Sequence, residues 1–218
     1  MIARRLQMLI EAVYDLEPGC AVNDFLVTDR DQLHDIVPVN DTRCLDEQLL
    51  MAQTEEGAAL SLYIDGAVLE RLERLDPECG LGERNLADFC TVLEGVSHFI
   101  YAAWRLRHDH ALSLLELETQ AEVDKFAVAV LLLSCQRGAY PAFAFARLFD
   151  AARFDARLTP AQLARYQDAH ASAARYCRFL ERRFVSRGRA RIEELLRELR
   201  RFYRLGNAAK LDYAQGVA

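Results

Sequence analysis

The sequence predicts an α+β fold that is predominantly helical, with a small N-terminal antiparallel sheet followed by a helical bundle that ends in an Arg-rich helical hairpin. Three observations support this prediction. Glycine and proline are few, at 10 and 5 in 218 residues, so few positions oppose helix formation. One early segment alternates apolar and polar residues with the period of a β-strand. After residue 85, apolar residues recur every three to four positions, as in amphipathic helices.

The N-terminal region contains both helix and strand signals. Apolar residues spaced along 2–16 indicate an amphipathic helix, and 21–27 has extended character. Residues Glu47–Gln53 and Ala58–Asp65 form the clearest strand pair, because the second strand alternates apolar and polar side chains. The turn between them, Thr54 to Gly57, suits a hairpin with glycine at the strained position. These signals predict a small antiparallel sheet.

A break in the pattern indicates the domain boundary. The helical period resumes at Ala67 and stops at a segment with Pro77, Gly80 and Gly82. We therefore expect a small α+β region over 1–84 and a helical region over 85–218.

The helical region carries several start and stop signals. Asn85 with Asp88, Ser113 with Glu116, and Thr159 followed by proline all resemble helix N-termini. Glycine at 138 is suited to ending a helix, because glycine adopts the left-handed conformation without steric penalty. The helices expected from these signals cover 85–106, 113–138, 143–154, 159–184 and 192–203.

Charge is segregated along the chain and predicts a binding surface. Residues 1–150 carry 12 Lys+Arg and 26 Asp+Glu, whereas residues 151–218 carry 15 and 7. We expect the basic hairpin to dock an acidic protein surface or a second copy of the chain, with nucleic acid as the alternative ligand. A structural alternative is that the acidic N-terminal region covers the hairpin. The predicted partner-binding residues are Arg187, Arg191, Arg197, Arg200, Arg201 and Arg204.

A second pattern suggests a metal site or an acid–base site. Glu94 and His98 are four residues apart on one predicted helix, and Glu118 and Glu122 are four apart on the next. If these helices pack antiparallel, the four side chains could converge, and carboxylate and imidazole groups in helical bundles hold iron, manganese or zinc. Capping and ion pairing along the helix surface explain the same residues without a metal. His170 lies on an apolar seam, where a hydrogen-bonded core histidine is the simpler interpretation.

The motifs that are absent favour a non-enzymatic interaction protein. The sequence lacks a Walker A loop, a G-x-G-x-x-G turn, a G-x-S-x-G elbow and an H-E-x-x-H helix. We expect no cofactor. The cysteines form no C-x-x-C pair and are interpreted as reduced apolar residues. Without a signal-peptide pattern or a long apolar run, the expected location is the cytoplasm, with no membrane partner.

Overall fold

The fold is α+β and predominantly helical, as the sequence predicts. Two compact units are present: the first comprises Met1–Leu9 and Glu17–Ala111, and the second comprises Ile10–Leu16 and Leu112–Ala218. Among the helices that are described, none combines the length and apolar character needed to cross a bilayer. The computed structural model describes residues 1–36, 46–54, 57–138, 145–150, 158–185 and 191–217.

The first unit combines helices with a three-stranded sheet. Its first helix, α1, continues into the second unit. A 3-10 turn at Val22–Asp24 replaces part of the extended segment that the sequence predicts there. The elements are α1 (Ile2–Tyr14), β1 (Leu26–Val27), α2 (Arg30–Ile36), β2 (Glu47–Thr54), β3 (Gly57–Ile64), α3 (Gly66–Arg74) and α4 (Leu86–Arg107).

The sheet is mixed rather than purely antiparallel. Strands β2 and β3 form the predicted antiparallel hairpin, with Leu49 opposite Leu62, and Gly57 has the positive φ of +135° expected at a turn. The turn residues 55–56 lie outside the described residues. Strand β1 pairs with β3 in parallel, with Leu26 opposite Leu62. The sequence predicted only extended character for the segment that contains β1, because a two-residue strand carries no periodicity from which its pairing could be predicted.

The N-terminus of α4 lies where it was predicted, but its capping differs. The Asn85 side chain accepts a hydrogen bond from Gly82 N at 2.9 Å and donates one to Leu75 O at 2.7 Å. Asp88 does not complete a capping box, because its carboxylate binds the Arg71 guanidinium at 2.7 Å. Asn85 therefore stabilises the loop before α4 rather than the helix amides.

The second unit is built from helices. Two π-helical turns, Ala146–Asp150 and Glu181–Val185, accompany them, and the second directly follows the helix that ends at Leu180. Of the helix expected over 143–154, only 145–150 is described. The helices are α5 (Leu114–Arg137), α6 (Pro160–Leu180), α7 (Ile192–Tyr203) and α8 (Asn207–Gly216), the last of which was not predicted.

The predicted helix ends at Ser113, Thr159 and Gly138 are confirmed in the second unit. Ser113 Oγ accepts from Glu116 N at 3.1 Å, and Thr159 forms a capping box with Gln162. Gly138 ends α5 with φ of +67°, in the left-handed region. Aromatic rings then join the elements, since the Tyr176 ring of α6 stacks on Phe202 of α7 with centroids 3.9 Å apart. These caps and stacks hold α6 and α7 in fixed positions within the unit.

Candidate functional site

The second unit contains an open groove with a basic lining. Its volume is about 570 Å³, and its described charged lining consists of four arginines and one carboxylate, Asp150. The arginines come from one face of α6 and from the π-helical turn that follows. They are Arg175, Arg178, Arg182 and Arg183, which we name the arginine groove.

Arg178 forms the floor of the arginine groove. Its guanidinium lies over the Phe145 ring, 3.5 Å from the centroid, and donates to Glu181 Oε2 at 2.8 Å. Asp150 lies farther away, with 3.8 Å between its Oδ2 and Arg178 Nη2. A guanidinium held by a buried glutamate and an aromatic face keeps a fixed orientation, because both contacts restrict the long side chain.

The other groove arginines project towards solvent. Arg175, Arg182 and Arg183 are exposed. Within the described part of the chain, neither Arg175 nor Arg183 forms an ion pair. Their hydrogen-bond donors are therefore available to an incoming anion.

Two predicted partner-binding residues have structural partners instead. Arg200 Nε donates to Val13 O at 3.0 Å, and Arg204 Nη2 donates to Tyr14 O at 3.2 Å. These carbonyls belong to the last turn of α1, where backbone acceptors lack helical partners. Asp15, with φ of +55°, turns the chain there. Arg200 and Arg204 therefore act as side-chain caps on the C-terminus of α1.

Of the remaining predicted arginines, Arg197 and Arg201 lie on α7, and Arg191 immediately precedes it. Arg201 lies over the Tyr213 ring, 4.6 Å from its centroid, and Arg191 pairs with Glu194 at 3.0 Å. Arg197 is exposed, and among the described residues its side chain hydrogen-bonds only within its own helix, at Glu193 O. Arg187 lies outside the described residues.

His170 and Glu122 form a half-buried ion pair in the second unit. His170 Nδ1 lies 3.0 Å from Glu122 Oε2, and its Nε2 lies 3.0 Å from Phe149 O. Both nitrogens face acceptors, so the imidazolium, which donates from both, fits best. The hydrogen bond to Glu122 raises the pKa of His170 above its usual value. Burial raises the pKa of Glu122, but Lys125 and His170 together lower it to about 2.

The four predicted metal ligands are divided between the units. Glu94 and His98 lie on α4 in the first unit, where a carboxylate oxygen of one and a ring nitrogen of the other are within 4.8 Å. Glu118 and Glu122 lie on α5 in the second unit, and Arg165 Nε is 3.6 Å from Glu118 Oε1. Glu122 is held by Lys125 and His170 as described above. The convergence of all four stays a prediction.

Sequence reasoning missed three sets of residues. The groove arginines Arg175, Arg178 and Arg182 have the i, i+3, i+7 spacing of one helix face, so the signal was present. The fully buried Lys210, which donates to Gln120 Oε1 at 2.7 Å, left no signal except that lysine is rare in this chain. The third is Glu47, whose contact with His98 depends on tertiary packing and leaves no pattern in the sequence.

Comparison with known proteins assigns no family or function to the chain. No protein-family model, curated protein or solved structure matches the chain. The functional argument therefore depends on the groove and clusters themselves.

Proposed function

We propose that this chain is a non-enzymatic binding protein that docks an acidic segment of a partner protein in the arginine groove. The observation that carries the proposal is the charge of the groove: four arginines and a single aspartate line about 570 Å³ of open volume. A surface with this imbalance attracts carboxylates, and the attraction offsets part of their desolvation cost.

The residue type supports carboxylate ligands. Arginine presents a planar fork that binds a carboxylate through two parallel hydrogen bonds, whereas a lysine acts as a point charge. The basic residues of the described groove lining are all arginines, and Arg175 and Arg183 are exposed. An acidic peptide segment offers carboxylates at intervals along an extended backbone, and these can match arginines spaced along α6.

The aromatic residues of the groove argue against nucleic acid as the main ligand. Binding of single-stranded nucleic acid relies on exposed rings on which bases stack. Phe145 is only 2% exposed, and the guanidinium of Arg178 covers its face. Phe179, the other aromatic residue of the described lining, is half-buried.

Charge-reversal variants test the proposal. The double variant Arg175→Glu, Arg183→Glu changes the groove, and Arg197→Glu, Arg201→Glu changes the net charge equally on α7. Binding of a fluorescein-labelled Glu-rich peptide is measured by anisotropy for each protein. The groove variant is expected to bind at least about tenfold more weakly, since each lost charged contact contributes roughly 1.5–3 kcal/mol. The α7 variant is expected to bind like wild type, within about twofold.

Three outcomes would distinguish the proposed site from its alternatives. Equal weakening in both variants would show non-specific attraction and contradict a groove-specific site. Tighter binding of a single-stranded oligonucleotide than of the peptide, with affinity that falls steeply with salt, would favour the nucleic-acid alternative. If sedimentation shows a dimer of the wild type that the groove variant loses, the acidic partner is a second copy of this chain.

A further inference from the structure

The β2–β3 hairpin of the first unit has an outer edge that no described strand covers. The strand order is β1-β3-β2, so β2, with its eight residues, forms one edge of the sheet. Its register with β3 is continuous over Glu47–Thr54, without a bulge. The side chains of Met51, Ala52 and Gln53 are exposed. The edge is therefore long and regular, and its second half is open to solvent.

The hydrogen-bond pattern of the sheet shows which backbone groups of β2 point outwards. Leu62 N of β3 donates to Phe25 O at 2.9 Å, on the side of β3 that faces away from β2. Leu49 lies opposite Leu62, so the two form a non-hydrogen-bonded pair, and the N–H and C=O groups of Leu49 point to the outer edge. The orientation alternates along an antiparallel strand, so every second residue of β2 points the same way. The outward residues are Glu47, Leu49, Met51 and Gln53.

The outward groups of β2 lack both partners and protection. Outside the ladder with β3, no backbone group of residues 47–53 forms a hydrogen bond with a described residue. Proteins that stay monomeric usually guard an edge of this length with lysine, proline or a β-bulge. Strand β2 contains none of these, and residues 48–54 carry no charge in a chain of which 28% is charged. The edge is therefore suited to pairing with another strand.

This edge is complementary to a second copy of itself. In an antiparallel pair centred on Leu50, Leu49 of one copy lies opposite Met51 of the other, and Glu47 lies opposite Gln53. Each outward residue then exchanges two hydrogen bonds with its counterpart, so every outward group of the strand is paired. Glu47 is the only charged residue of β2, and in this register it does not oppose its own copy. The strand thus satisfies itself both in hydrogen bonding and in charge.

We propose that two copies of this chain associate through β2, in an antiparallel pair centred on Leu50 that joins their sheets into one. The pair is symmetric and occupies the same edge in both copies, so it closes at a dimer. The side chain of Met51, which is 46% exposed, lies beside Leu49 of the second copy and loses contact with water there. The interface does not depend on the arginine groove, because β2 belongs to the first unit.

Cysteine cross-linking of the full chain tests the register. In the proposed pair the two Leu50 Cα atoms lie about 4.5 Å apart, which a disulfide can span, so Leu50→Cys should form a covalent dimer under mild oxidation. The matched control is Ala52→Cys, at a more exposed position of the same strand. Its two copies lie roughly 14 Å apart in this register and should not cross-link. The background carries serine at Cys44 and at the exposed Cys79 and Cys135.

Sedimentation equilibrium measures the association without introduced cysteines. Wild type is expected to dimerise, and Met51→Lys, which adds a lysine to the edge of both copies, should weaken association at least about tenfold. The matched control Ala59→Lys adds the same charge at an exposed position of β3, opposite Ala52, and should associate like wild type. The groove variant Arg175→Glu, Arg183→Glu should also dimerise like wild type, so this result is separate from the test of the groove.

The proposal is overturned if wild type stays monomeric at about 100 μM, where even a Kd of about 10 μM gives mostly dimer. Equal cross-linking of Leu50→Cys and Ala52→Cys would contradict the register, and equal weakening by Met51→Lys and Ala59→Lys would contradict an interface at the β2 edge. Circular dichroism checks that Met51→Lys keeps the wild-type fold. If it does not, the cross-linking pair and the wild-type sedimentation decide the proposal.

Discussion

The buried phenol of Tyr14 provides a direct test of how the second unit is held together. Its hydroxyl donates to Asp124 Oδ1 at 2.5 Å and accepts from Gln120 Nε2 at 3.1 Å. Burial raises the pKa of Tyr14, so the hydroxyl keeps its proton and stays a donor. Lys210 completes this network through Gln120. Tyr14→Phe removes the hydroxyl and keeps the ring, which stacks on Tyr203 with centroids 4.2 Å apart.

The expected loss of unfolding free energy in Tyr14→Phe follows from the burial of the hydroxyl and the charge of Asp124. A hydrogen bond to a charged group contributes about 1.5–3 kcal/mol, and a buried group left without its partner loses a similar amount. Asp124 still accepts from Gln120 Nε2 at 2.7 Å in the variant, so the loss should be about 2 kcal/mol rather than the upper limit. The control is Tyr213→Phe. In the wild type, the Tyr213 hydroxyl donates to Glu198 Oε1 at 2.8 Å, and Tyr213 is half-exposed. Water can replace that bond, so its loss should stay below about 1 kcal/mol.

Urea denaturation measures both variants. With a slope of about 2 kcal/mol per molar urea, a 2 kcal/mol loss lowers the midpoint by about 1 M. Far-UV circular dichroism follows all helices, and fluorescence of the sole tryptophan, Trp104, follows the first unit. The circular dichroism and fluorescence curves must coincide before the midpoints are converted to free energies of unfolding. If Tyr14→Phe and Tyr213→Phe have equal midpoints, the buried network does not contribute as argued.

Further predictions concern titration and backbone strain. The pKa of Glu122 in the folded protein, about 2, lies below its ordinary value of 4.5. Its ion pair therefore stabilises the folded protein fully above pH 4.5 and progressively less as pH falls towards 2. Glu122→Gln should reduce the fall in Tm at acidic pH. The folded pKa of His170 is raised, so its contribution is complete below its unfolded value of about 6.5 and is lost as pH rises through the folded value. His170→Gln should therefore remove a decline in Tm above neutral pH, and a decline that persists would contradict this assignment. Gly138→Ala should destabilise by about 1 kcal/mol, because φ is +67° and alanine is strained there. Gly82→Ala should be neutral in the same urea assay, because no positive φ opposes the new side chain and no described atom lies within 4 Å of its Cβ.

The sequence predicted helices well where the determining interactions are local. The Thr159 capping box, the Ser113 cap and the Gly138 terminus all involve residues within a few positions of one another, so the pattern contains the information. The β2–β3 hairpin was predictable for the same reason. Asp88 was misassigned because a distant residue, Arg71, competes for its carboxylate. Glu47 could not be identified as a partner of His98, since only the packing of α4 on the sheet brings them together.

The Arg-rich segment shows why charge counting alone cannot select functional residues. Arg200 and Arg175 lie in the same basic stretch, yet one caps the α1 carbonyls and the other is exposed at the arginine groove. A reversal of Arg200 and Arg204 to glutamate would place carboxylates against the C-terminus of α1, where negative charge is unfavourable. A binding defect in such a variant would reflect a damaged fold as readily as a lost contact. Arg175 and Arg183 avoid this ambiguity because no described helix terminus depends on their guanidinium groups.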